Sequence, residues 1–153
     1  MFTSGSDARS FQTIQGVHNY INAFNIDDFD TYTKYYHPEI YMNVKTLPGE
    51  KTLKGYLDWI KPLHSRYVEK LVPKKLIIDR DGKYVVGEFH TEFTARTAEF
   101  QSDNFLGKWG PIDEKIGPVI KMIVFYHLDD AGKITQLEPE STLLRVAVRP
   151  ETI

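Results

Sequence analysis

The chain contains no cysteine. Disulfides, cysteine–zinc sites and thiol chemistry are excluded by that alone. No apolar run approaches the roughly 20 residues that a membrane-spanning helix needs. Charge of one sign is also lacking: 19 basic residues stand against 21 acidic ones, for a formal net charge of -2. Nothing in that balance provides the basic stripe of a nucleic-acid binder. The opening stretch MFTSGSDARS is polar and has no secretory-signal core. Phosphate-binding, dinucleotide-binding, zincin and nucleophile-elbow motifs are absent. No histidine–acid pair has metal-ligand spacing. We therefore expect a cytoplasmic protein with no metal, no cofactor, no nucleic-acid partner and no membrane partner.

What is present is a core. Of 153 residues, 41% are hydrophobic and 13% aromatic, enough for one compact domain over residues 1–153. Phe11, Ile14, Val17, Ile21 and Phe24 fall at helical spacing, with Ser10 or Asp7 as the cap. Asp28 can cap a second, short helix through Phe29, Tyr32, Tyr35 and Tyr36. His37-Pro38 ends it. Residues 39–44 alternate as a strand, with Ile40, Met42 and Val44 on one face and Tyr41 and Asn43 on the other. Residues 52–71 read as a third helix, which Pro62 should kink or divide.

Residues 74–80, 83–97, 116–129 and 133–146 read as strands. Asp81-Gly82 and the DDAG of 129–132 mark hairpin turns. The intervening loop, 99–114, carries Phe100, Phe105 and Trp109. A long loop with large aromatics is often a functional lid. The layout is α+β: three N-terminal helices, then a curved antiparallel sheet wrapped around them as a cone.

That order of elements resembles the nuclear-transport-factor-2-like superfamily, and within it the SnoaL-like polyketide cyclase branch. The resemblance is carried by VHNYINAFNIDDFDTYTKYYHPEIYMN, GKYVVGEFHTEF and VIKMIVFYHLDDAGKITQLEP. It covers most of the chain and implies one deep apolar pocket between helices and sheet. The fold hosts isomerases, hydrolases, dehydratases, cyclases and binding-only transport factors, so it fixes no single activity.

The resemblance also implies site residues. Tyr20 stands eight residues before Asp28, where the ketosteroid isomerases carry an oxyanion tyrosine; its alternative role is a core residue with a satisfied hydroxyl. Tyr41 and Asn43 match the Tyr-x-Asn pair that holds water in limonene epoxide hydrolases. One acid of that enzyme falls on Pro139 here, which disfavours epoxide hydrolysis. The isomerase base falls on Asn43 or Val44, neither able to take a proton from carbon. Lys121 occupies a position where relatives place a pocket acid or asparagine. It would point into the pocket as an electrophile, or outward on a half-exposed strand. A pocket of this kind would be lined by Phe24, Tyr41, Asn43, Tyr56, Trp59, Ile60, Phe89, Phe93, Ile123 and Leu137.

Among the histidines, His18, His37 and His127 read as surface, turn or structural residues. His64 lies on the stripe of the third helix and is a candidate base. His90 shares a strand face with Glu88 and Glu92, an arrangement that favours its cation. Phe89 and Phe93 form the more obvious core face, which turns His90 to solvent or a dimer contact; it stays a candidate acid–base group if its face turns inward.

The expected function is cofactor-free acid–base chemistry on an apolar intermediate of secondary metabolism, such as a polyketide or terpenoid. Isomerisation, cyclisation and dehydration all fit, the activities of an isomerase, a cyclase or a lyase. A binding module of the same fold is the alternative, and epoxide hydrolysis a second one. Val124, Tyr126, Leu144 and Val146 are expected to cover a sheet face in a homodimer.

Overall fold

The computed structural model describes residues 10–97 and 118–145. Helix α1 (Ile14–Asn25) starts at Thr13, whose hydroxyl accepts the Gly16 N–H at 2.9 Å. Thr13, rather than Ser10, therefore caps this helix; Asp7, the other expected cap, lies outside the described residues. Val17, Tyr20, Ile21, Ala23 and Phe24 form its buried face. Helix α2 (Phe29–Tyr32) is capped by Asp28, which accepts from the Thr31 backbone and hydroxyl at 3.1 and 2.7 Å. A 3-10 turn (Thr33–Tyr35) leads into strand β1 (Tyr36–Met42).

Helix α3 (Leu53–Arg66) runs unbroken through Pro62, so the expected division is not found. The predicted third helix also ends early. Residues 67–71 are not helical but open strand β2 (Tyr67–Ile78). Tyr67 continues the helical stripe, which is why the sequence pattern carried on. Pairing of residues 67–71 with Ala95 through Thr91 decides against it, since a strand ladder outweighs a weak local preference.

Strands β3 (Tyr84–Ala95), β4 (Val119–Leu128) and β5 (Ile134–Arg145) complete one sheet in the order β1-β5-β4-β3-β2. The β2–β3, β3–β4 and β4–β5 pairings are antiparallel. The β1–β5 pairing is parallel, so the sheet is mixed, with the early strand closing one edge of the α+β cone. At the β4–β5 turn, Asp129 accepts the Ala131 and Lys133 N–H groups at 2.9 Å each, and Gly132 supplies the positive φ of 80°. The two hairpin turns read from the sequence are present.

One face of the sheet meets the helices. Val85, Phe89, Thr91, Phe93 and Ala95 of β3 and Ile120, Val124, Tyr126 and Leu128 of β4 are buried there. Gly87 lets the Phe89 ring lie across it; a Cβ at that position would stand 2.4 Å from the ring. Period-two alternation turns Glu88, His90, Lys121, Ile123, Phe125 and His127 to the outer face. Val124 and Tyr126 therefore pack against the helices and cannot cover a dimer face. Val146 and the whole of the loop 99–114 lie outside the described residues. No helix among the described residues is long and apolar enough to cross a membrane.

Candidate active site

The interior under the helices is filled with rings. Tyr20 sits at its centre, with the rings of Phe11, Tyr32, Tyr35, Tyr36 and Tyr126 at 5.1 to 6.0 Å from its own, and Phe11 lies 4.7 Å from Tyr126. Each such buried ring contributes about 1.5–3 kcal/mol. The hydroxyls pair off: Tyr20 with Tyr36 at 2.7 Å, and Tyr32 with Tyr56 at 3.1 Å. Burial pushes all four phenols well up from their ordinary range. They are neutral donors and acceptors, and none is poised as a phenolate.

The charged groups gather at one end of this core. Helix α1 closes in a Schellman motif: the Asp27 N–H donates to the Phe24 carbonyl at 3.0 Å and the Asp28 N–H to Ala23 at 2.9 Å. Asp27 occupies the position where glycine usually stands, with φ 57°. It is the one described residue other than glycine in the left-handed region. Such a backbone costs about 1–3 kcal/mol and persists where the surroundings demand that side chain. Here the demand is visible. Asp27 Oδ1 lies 2.6 Å from His64 Nδ1, and Oδ2 lies 2.6 Å from Arg96 Nη2.

His64 stands in the last turn of α3, where a cation is favoured by the helix dipole. Its side chain is 2% exposed, and its Nε2 lies 3.0 Å from Glu69 Oε1. Arg96, just past β3, also donates from Nε to the His64 carbonyl at 2.6 Å. The Phe24 and Phe29 rings wall the imidazole at 5.5 and 6.2 Å. Both ring nitrogens face carboxylates, which only accept when ionised, so the geometry asks for the imidazolium. Burial pushes the His64 pKa down, but hydrogen bonds and charge from Glu69 and then Asp27 outweigh it, and the value is raised. Two carboxylates, one imidazolium and one guanidinium make a neutral cluster, the arrangement in which buried charge is tolerated.

The residues expected from the sequence divide by sheet face. Tyr20, Phe24, Tyr56, Ile60, His64, Phe89, Phe93 and Leu137 are buried inside, and Trp59 packs against them edge-on to Tyr56 at 6.4 Å. Lys121 is not in the interior. Its side chain is 39% exposed on the outer face and lies 3.6 Å from Glu88. Ile123 and His90 share that outer face by alternation. Tyr41 is 46% exposed, and Asn43 lies just beyond β1, its N–H donating to the Leu137 carbonyl at 2.9 Å. The alternation of β1 was legible; Ile40 and Met42, rather than Tyr41, turn inward. The single deep pocket is likewise not found among the described residues, because rings occupy its place. The depressions there lie on the outside, one along α1 and α2 beside Lys70, another between α3 and Pro38.

The sequence pattern does not mark Asp27, Glu69 or Arg96 as site residues: it places Glu69 on the third helix and Arg96 at the end of a strand. Asp27 left only a helix-breaking Asp-Asp as its signal. Among the described residues no set of three His, Asp or Glu is arranged to hold a metal ion.

No family model matches the chain, and no curated protein matches it. Solved structures do. A protein from Shewanella denitrificans, named provisionally as a SnoaL-like polyketide cyclase, superposes with a TM-score of 0.63 at 16% identity, over 84% of this chain and 88% of that one. An NTF2-like protein of unknown function from Burkholderia pseudomallei gives 0.62 at 16%, over 87% and 92%. An LEH-like epoxide hydrolase from M. tuberculosis gives 0.61 at 16%, over 88% and 85%. The chain has the NTF2-like fold. The structural neighbours of this NTF2-like chain include SnoaL-like proteins, and at such identities they establish the fold and leave its chemistry to its own residues.

Proposed function

We propose that this NTF2-like protein is an enzyme doing cofactor-free acid–base chemistry on an apolar biosynthetic intermediate, such as a polyketide or terpenoid. The observation that carries this reading is His64, buried and held at both nitrogens by Asp27 and Glu69. Asp27 fixes the ring and its Nδ1 proton. Nε2 is then the exchanging position, its proton shared with Glu69. The His64–Glu69 pair can give a proton to a leaving hydroxyl or an enolate oxygen and take one from carbon. Isomerisation, cyclisation and dehydration each include such a proton transfer. Similar solved structures named as polyketide cyclases support the reading. The test is product formation from a panel of cyclic enones and β-hydroxy ketones. Wild type should turn over at least one member, and His64→Gln should lose at least a hundredfold. Equal rates for the two proteins defeat the proposal.

A binding module is the second reading, favoured by four buried phenols that are neutral and so offer hydroxyls without acid–base chemistry. It predicts ligand binding without turnover of any panel member. Epoxide hydrolysis has less support: Pro139 replaces an acid, and Tyr41 points to solvent. We further propose a homodimer through the outer sheet face, where Phe125, Tyr84, Ile77 and Leu144 are exposed.

A further inference from the structure

Thr91 lies mid-strand in β3 on the inner face and is wholly buried. Among the described residues its Oγ1 is the one buried side-chain polar atom with no hydrogen-bond partner. The neighbours explain why. Thr91 is paired across the sheet with Leu71 on β2 and Ile120 on β4. Phe89 and Phe93 flank it on the same face of its own strand. None of the four side chains can donate or accept. Valine has the same shape and would leave no hydroxyl unpaired, so packing alone does not call for threonine here.

The hydroxyl stands beside the acid–base cluster. Glu69 pairs with Phe93, and Leu71 with Thr91, which makes Glu69 and Thr91 diagonal neighbours on one face, roughly 7–8 Å apart. Asn25 clamps this part of the floor by bonding both backbone groups of Leu71, at 2.9 and 2.8 Å. The Glu69 side chain closes this side of the cluster by its 3.0 Å contact with His64 Nε2.

We infer that Thr91 selects the ligand of this site by holding one of its oxygens. A hydroxyl or carbonyl oxygen enters as the Glu69 carboxylate swings away from His64, and is held between the freed Nε2 and Thr91 Oγ1. The inference rests on the acid–base reading of His64 and adds the ligand class: an apolar body carrying an oxygen, for which the packed interior beside Leu71, Phe89 and Phe93 must open, since all three are buried. A hydrocarbon of the same shape leaves Thr91 unpaired and binds more weakly.

Thr91→Val tests this with two readouts on the full chain. Its melting temperature should rise by about 2–4 °C, because the unpaired hydroxyl is gone. Calorimetric titration with 2-naphthol and with naphthalene supplies the other. Wild type should prefer 2-naphthol by about three- to tenfold, and Thr91→Val should lose that preference while binding naphthalene as before. A variant that melts at or below wild type overturns the inference, because the hydroxyl then serves the fold. So does an unchanged preference, or a wild type that binds neither probe. The acid–base reading fails separately: His64→Gln with full turnover sinks that reading while the naphthol preference still reports on Thr91.

Discussion

His64 Nδ1 lies 2.6 Å from Asp27 Oδ1, and the backbone of Asp27 is held in the left-handed region to bring it there. Helix α1 thus ends on a side chain that reaches the last turn of α3. Arg96 joins the same carboxylate from the end of β3, and Glu69 reaches the ring from β2. Two helices and two strands share one charge cluster.

The cluster makes stability depend on pH. The His64 pKa is raised on folding, above the ordinary value of about 6.5 in the unfolded chain. A raised folded value means stabilisation that is complete below about pH 6.5 and is lost as pH rises through the folded value. Thermal melts from pH 5.5 to 9 should fall across that window in wild type. In His64→Gln the same window should be flatter. A parallel pair of curves would remove His64 as the source.

Removing the cation should be costly. His64→Gln leaves the partly buried Asp27 and Glu69 carboxylates with Arg96, on Asp27, as the remaining cation of the cluster, and Glu69 loses its partner at a cost of about 3 kcal/mol. For a chain of this length that is a fall of about 6–12 °C in melting temperature. A fall under 2 °C would mean that the cluster is already solvated.

Position 27 separates backbone strain from charge. Asp27→Gly and Asp27→Ala both delete the carboxylate, but only glycine is relaxed at φ 57°. The alanine variant should be the less stable by about 1 kcal/mol. Asp27→Asn keeps the backbone preference and should lower the His64 titration midpoint, followed by its ring proton resonances. An unmoved midpoint would dissociate Asp27 from the imidazole.

The paired phenols predict coupling. Tyr20→Phe leaves the Tyr36 hydroxyl buried without its 2.7 Å partner and should cost about 1–3 kcal/mol. The double change Tyr20→Phe, Tyr36→Phe should cost less than the sum of the two singles. Denaturant melts of all four proteins complete the cycle, and strict additivity would argue against the bond.

Lys121→Met should be nearly silent, within about 0.5 kcal/mol in stability and with unchanged turnover. The lysine is partly exposed on the outer face, and its pair with Glu88 at 3.6 Å is worth little in solvent. Loss of activity in this variant would place Lys121 back in the mechanism.

The sequence by itself determined the α+β class, the two hairpin turns, the cap at Asp28 and the buried face of α1 at Val17, Ile21 and Phe24. These follow from local periodicity and from turn residues with one favoured geometry, so a short window suffices to read them. It also marked His64 as inward, because it lies on an apolar helical stripe; the family resemblance alone points to Tyr20. It wrongly added Ile14, which is exposed, to the buried face of α1, and it left open which face of β3 turns inward. Only tertiary structure decided the rest. Ladder pairing with β3 turned residues 67–71 into strand and swung Glu69 onto His64. The curvature of the sheet chose which face of β4 met the helices, putting Tyr126 inside and Lys121 outside; alternation alone leaves that choice open. Asp27 and Arg96 are distant along the chain from His64 and from each other, and Glu69, five residues beyond His64, reaches it only because the chain turns from helix to strand between them, so no local pattern links the four. Their meeting is a property of the packed layers, since the cluster requires the end of each element to arrive at one point.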